Sequence, residues 1–146
     1  MHTLLDQEAP GLSSKLESLS LGARRTILAS ACLHASKCMN EPGPSISHLL
    51  EKLKAQGVLS VDEIAEATSL AETADAKYFE LKTKDLDHAK MLESFSEARL
   101  LTAMAIGFKG TSPRDTSEAV YELSKVCSDP SSLIKAIESN IALSRK

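Results

Sequence analysis

Cys32, His34 and Cys38 fall within seven residues, in the segment CLHASKC at 32–38. Thiolates and imidazoles are the ligands of structural zinc, and neighbouring cysteines are the material of redox exchange. The spacing argues against both. The segment sits in a stretch of helical periodicity, where successive residues rotate by about 100°. Cys32 and His34 then point to nearly opposite sides, and Cys32 and Cys38 fall on either flank of the apolar stripe. A zinc site needs about four converging ligands, and the thioredoxin type of motif needs C-x-x-C. The sequence predicts two core cysteines acting as small hydrophobes, beside a partly exposed His34.

Two acid–histidine pairs carry a second candidate chemistry. His48 with Glu51, and Asp85 with His88, each stand three residues apart, a spacing that shares a helix face. Carboxylate-bridged di-iron bundles use Glu-x-x-His on two helices with further inward Glu residues. Here one pair has the order reversed and the other lies in a loop or at a helix start. Glu93 and Glu97 are available as further oxygen ligands. His48, Glu51, His88 and Glu93 thus define the alternative reading, a helical-bundle enzyme or metal-binding protein with a dispersed site. For nucleophilic or phosphate chemistry there is no G-x-S-x-G, no Gly-rich phosphate loop and no H-E-x-x-H, so no catalytic residue and no cofactor is indicated.

The elements that must position these residues are helices. Ser13 or Ser14 is placed to cap a short helix bearing Leu16 and Leu19, and Ser20 one from about Leu21 to Met39. Residues 40–44, NEPGP, stop it. A third helix starts at Ser45 and stops at Gly57. Ser60 and Glu63 fit a capping box for a fourth, running to about Lys82 with Ile64, Ala67, Ala71, Ala74, Tyr78 and Leu81 on one face. Helical spacing resumes from His88 to Phe108, and Gly107 and Gly110 are read as its stop. Ser112 followed by Pro113, and Asp129 followed by Pro130, open two more. No segment alternates apolar and polar residues as a half-buried strand does. The expectation is an all-α, compact bundle of six or seven mostly antiparallel helices, one domain over 1–146 with a loose lead at 1–12.

Composition agrees. Aromatic residues are 3% of the 146-residue chain, with no Trp, so the core must be Leu, Ile, Ala and Met. The net charge is −3 and the longest internal basic run is Arg24-Arg25, which leaves no basic patch for nucleic acid. No run of about 18 apolar residues exists for a membrane span, and no secretory signal pattern opens the chain. Three cysteines are too few for a disulfide scaffold, which points to a reducing, cytoplasmic compartment.

Charge is unevenly placed. Residues 61–110 carry six Lys or Arg against ten Asp or Glu, a balance of −4. Most of it falls on the helix from Val61, where Asp62, Glu66, Glu72 and Glu80 lie broadly opposite the Ile64/Ala71/Tyr78 stripe. An acidic helix face of this kind attracts and selects a basic protein partner. A small, acidic, all-helical chain without a catalytic motif resembles bacterial toxin-immunity proteins. That resemblance implies a noncatalytic, toxin-neutralising protein-binding domain, and transfers no binding residue.

Overall fold

The computed structural model describes residues 9, 11–39, 42–84, 88–127 and 129–144. Among these there are seven helices and no strand: α1 (Leu12–Glu17), α2 (Leu21–Ser36), α3 (Pro44–Gln56), α4 (Val61–Lys84), α5 (His88–Lys109), α6 (Pro113–Ser124) and α7 (Ser131–Ser144). Six of them send large aliphatic side chains into one continuous core, with Leu16, Leu28, Leu49, Leu101, Leu123 and Ile137 as one contribution each. Full burial of such a side chain stabilises by roughly 1.5–3 kcal/mol. The all-α bundle expected from the apolar spacing is what forms.

The helix starts follow the cap residues. The Ser60 backbone N–H donates to Glu63 Oε1 at 2.8 Å while the Glu63 N–H donates to Ser60 Oγ at 3.2 Å. At α6 the Asp115 N–H donates to Ser112 Oγ and Asp115 Oδ2 accepts from the Ser112 N–H, a reciprocal pair the sequence reading had seen only as Ser112 and Pro113. Asp129 Oδ1 accepts from the Ser131 N–H at 3.0 Å at the start of α7. Elsewhere the boundaries move. α1 is capped by Gly11 at φ 83°, not by Ser13 or Ser14. α2 ends at Ser36, short of Met39, in a tighter turn of i→i−3 bonds. α3 opens one residue early, with Pro44 in the first turn behind Gly43. Ala9 and Leu12, assigned to the loose lead, are buried in the core; positions 1–8 and 10 lie outside the described residues.

Backbone hydrogen bonds, chiefly from Ser60 and Ser131, hold the Glu63 and Asp129 carboxyls below their ordinary range. A depressed carboxyl adds stability above its unfolded pKa of about 4, and that stability is lost as pH falls through the folded value. Ser60→Ala is expected to cost about 1 kcal/mol at neutral pH, and Ser112→Ala a similar amount. In urea melts between pH 7 and pH 3, the Ser60→Ala penalty should shrink on the acid side. An absent penalty would show that the Ser60 cap contributes nothing, and a penalty constant through that window that the Ser60 hydroxyl is not coupled to the Glu63 carboxylate.

Two glycines read as a helix stop act differently. Gly107 lies inside α5 and is buried, and a Cβ there would collide with the Leu28 side chain and stand 3.1 Å from the Ala119 Cβ. It lets α2, α5 and α6 approach closely. Gly110 lies just past the helix, its N–H donating to Ile106 O. A side chain there would run into the Asp115 carboxylate of the α6 cap.

α4 and α5 form the longest packed pair. Asp75 meets Arg99, and Tyr78 meets Phe95 with ring centroids 5.4 Å apart, a register that makes the helices antiparallel. Although 24 residues long, α4 buries only Ala67 and Ala71. Beyond Tyr78 the hairpin leaves the bundle, so that Phe79 is 59% and Leu92 50% exposed.

Candidate functional site

The CLHASKC residues separate in three directions. Cys32 is fully buried, and burial pushes its thiol up to about 12, where the nucleophilic thiolate is scarce at neutral pH. The half-buried His34 brings Nε2 within 3.1 Å of Ser132 Oγ on α7. Cys38 is exposed, not a core residue, and forms a disulfide with Cys127 across 89 residues of sequence, with Cα atoms 5.3 Å apart. α2 stops at Ser36, so Cys38 leaves the apolar stripe that a longer helix would have kept it on. The pairing overturns the free-thiol reading of Cys38. It also removes the ground for inferring a reducing compartment, because structural disulfides persist in oxidising ones.

The alternative metal set is not assembled. His48 and Glu51 are exposed on α3, and His48 acts electrostatically on Glu63 at the start of α4. His88 opens α5 and Glu93 is exposed one turn later, beside the opposite end of a helix about 36 Å long. Asp85 lies outside the described residues. Among the described residues, no three His, Cys, Asp or Glu side chains gather closely enough to hold a metal ion. Glu97, the further oxygen ligand, borders a small cleft of about 240 Å³ between the start of α3, α4 and α5, where burial and then Glu93 raise its pKa.

The acidic surface is present but narrower than its composition implies. At 3.6 residues per turn, Asp62, Glu66 and Glu80 fall within about 40° of one another on the outer side of α4, while Glu72 is turned about 80° away. Asp62 is exposed and Glu66 half-buried, and neither enters an ion pair among the described residues. Glu80 is 2.8 Å from Lys84 Nζ one turn on. That exposed pair contributes little to stability but locally offsets the negative charge. Asp75, still 40% exposed, is offset by a partner cation. It receives Arg99 Nη2 at 3.0 Å, while Arg99 Nη1 reaches Glu122 on α6 at 2.6 Å, so this guanidinium ties three helices together.

Glu72 belongs to a different feature. The first turns of α4, the end of α5 and Arg25 on α2 enclose an open groove of about 840 Å³, within the roughly 300–1,000 Å³ of small-molecule sites. Val58, Val61, Ile64 and Phe108 supply apolar wall, and Glu72 lies along one side. Sequence reasoning did not find this groove. Its walls come from three helices and a connection, and only Val58 and Val61 beside the cap, both exposed, supply unburied apolar surface near one another in sequence.

Arg24-Arg25, the basic run of the sequence, is structural. Arg24 is 6% exposed and donates from Nη1 to Leu19 O at 2.6 Å and from Nη2 to Thr111 O at 2.9 Å. Arg25 Nη2 reaches Phe108 O at 3.5 Å. Both guanidiniums face the C-terminal end of α5, where the helix dipole favours cations. Among the described residues, no helix is long and apolar enough to cross a membrane. Comparison of the chain with protein-family models, with curated proteins and with solved structures finds no match.

Proposed function

We propose that this chain is a noncatalytic protein-binding module that receives a basic partner on the outer stripe of α4, and that it neutralises that partner as toxin-immunity proteins do. The observation that carries the reading is the position of α4. This 24-residue helix buries two alanines and carries the exposed Asp62 and Glu80 and the half-buried Glu66 along about 27 Å of one side. Such a stripe accelerates encounter with a positively charged surface and selects against acidic ones. A cytoplasmic site of action must accommodate the Cys38–Cys127 disulfide, and the cysteines no longer argue for it.

The test is charge reversal. Asp62→Lys, Glu66→Lys and Glu80→Lys together add two charges each and take the chain from −3 to +3. Folding should be almost unaffected, since exposed charges contribute roughly 0–1 kcal/mol per pair. A basic protein retained from host extract by the native chain should be lost with the triple variant. Its association rate should fall by about tenfold or more at low salt and converge with the native rate at high salt. An association rate unchanged at low salt would remove the outer stripe of α4 as the interface.

A further inference from the structure

We propose that the groove between α4, the end of α5 and Arg25 is a binding site for a free aliphatic carboxylate. The walls are mainly apolar, with few polar groups and a volume in the small-molecule range. Its charge is segregated. The antiparallel register set by Asp75–Arg99 and Tyr78–Phe95 places Lys109 beside the first turns of α4, and Arg25 approaches the same end through Phe108 O. Neither cation is paired with a carboxylate among the described residues. A guanidinium has five N–H donors, and here Nε has no acceptor while the contact from Nη2 is long.

Glu72, the one carboxylate on the walls among the described residues, stands about 10 Å along α4 from Ala65, the position that register sets opposite Lys109. It discourages an anionic head at that end and so orients the ligand. The head belongs at Arg25 and Lys109, and the chain lies along the apolar wall of Val58, Val61 and Ile64, away from Glu72. The basic partner proposed for the outer stripe would be repelled by Arg25 and Lys109, so the two sites have opposite electrostatic preferences and stand or fall separately.

Calorimetric titration with decanoate and with decan-1-ol, on the native chain with its disulfide intact, tests this. Decanoate should bind saturably at one site. Arg25→Gln with Lys109→Gln should weaken decanoate by about tenfold or more and leave the alcohol within about twofold. Should Arg25→Gln prevent folding, Lys109→Gln alone, at an exposed position, should still weaken decanoate selectively. Ala65→Phe, also at an exposed helix position, should block both ligands. The Asp62→Lys/Glu66→Lys/Glu80→Lys variant should retain decanoate binding, which separates this site from the protein-docking stripe. No saturable decanoate binding, binding indifferent to Ala65→Phe, or equal losses for acid and alcohol would each overturn the proposal.

Discussion

Cys38→Ser should lower the unfolding free energy by between about 4 and 5 kcal/mol, the largest effect expected of any surface substitution in this chain. The Cys38–Cys127 bond closes 89 residues of sequence. In the chain-entropy account, a cross-link of that span denies the unfolded ensemble most of its freedom to separate the two ends, about 4.7 kcal/mol for a 100-residue loop. It joins the turn after α2 to the turn after α6 and so spans α3, α4, α5 and α6. At about 2–4 °C per kcal/mol for a chain of this size, the midpoint should fall by roughly 10–15 °C. Cys127→Ser should cost a similar amount, and Cys38→Ser/Cys127→Ser no more than either alone, because all three remove one bond. Reductant should bring the native midpoint down to that of the double variant and leave the variant unmoved. Additive single costs, or a native midpoint indifferent to reductant, would mean that the bond does not form in solution. Cys32 should stay unlabelled by thiol reagents throughout the folded range, because burial keeps it protonated.

Arg24→Met should cost about 3 kcal/mol. The substitution keeps the length and apolar stem of the side chain and removes two charge-assisted hydrogen bonds, to Leu19 O and Thr111 O. Hydrogen bonds to charged groups contribute roughly 1.5–3 kcal/mol each, and their loss strands two acceptors. Removing a buried cation without a carboxylate partner returns part of that cost as relieved desolvation, which keeps the expected loss below the sum of both bonds. Arg24→Lys should recover about half, since an ammonium keeps the charge but cannot span two carbonyls as a guanidinium fork does. Denaturant midpoints of the three proteins decide the matter. A loss below about 1 kcal/mol for Arg24→Met would show that water satisfies both carbonyls. Selective damage should appear in hydrogen exchange at the start of α2 and the α5–α6 connection, which this side chain holds together.

Helix identity is written locally, and so it was legible. Three- and four-residue apolar spacing, the Ser60/Glu63 box, Ser112-Pro113 and Asp129-Pro130 each act within one turn of backbone, and every one of these starts is where its residues place it. The misplaced boundaries are those without a side-chain cap bond or decided by packing. α1 begins behind Gly11 because Leu12 is drawn into the core. Gly107 continues α5 because a close approach of Leu28 and Ala119 needs the missing side chain, not because the helix must stop. The acidic character of residues 61–110 was likewise plain in the sequence. Which carboxylates act on the surface was not, because Asp75 and Glu122 share a guanidinium brought by a third helix.

The amino-acid sequence by itself determined an all-α chain with an aliphatic core, the starts of its best-capped helices and an excess of negative charge on α4, since each of these depends on residues within a few positions of one another. Only the tertiary structure decided that Cys38 meets Cys127 rather than Cys32, that Arg24 clasps two loop carbonyls, and that α4, α5 and Arg25 leave an apolar groove bordered by Arg25 and Lys109. Those are contacts between segments far apart in the chain. They are set by how helices pack around a shared core, a global optimum that no local spacing encodes.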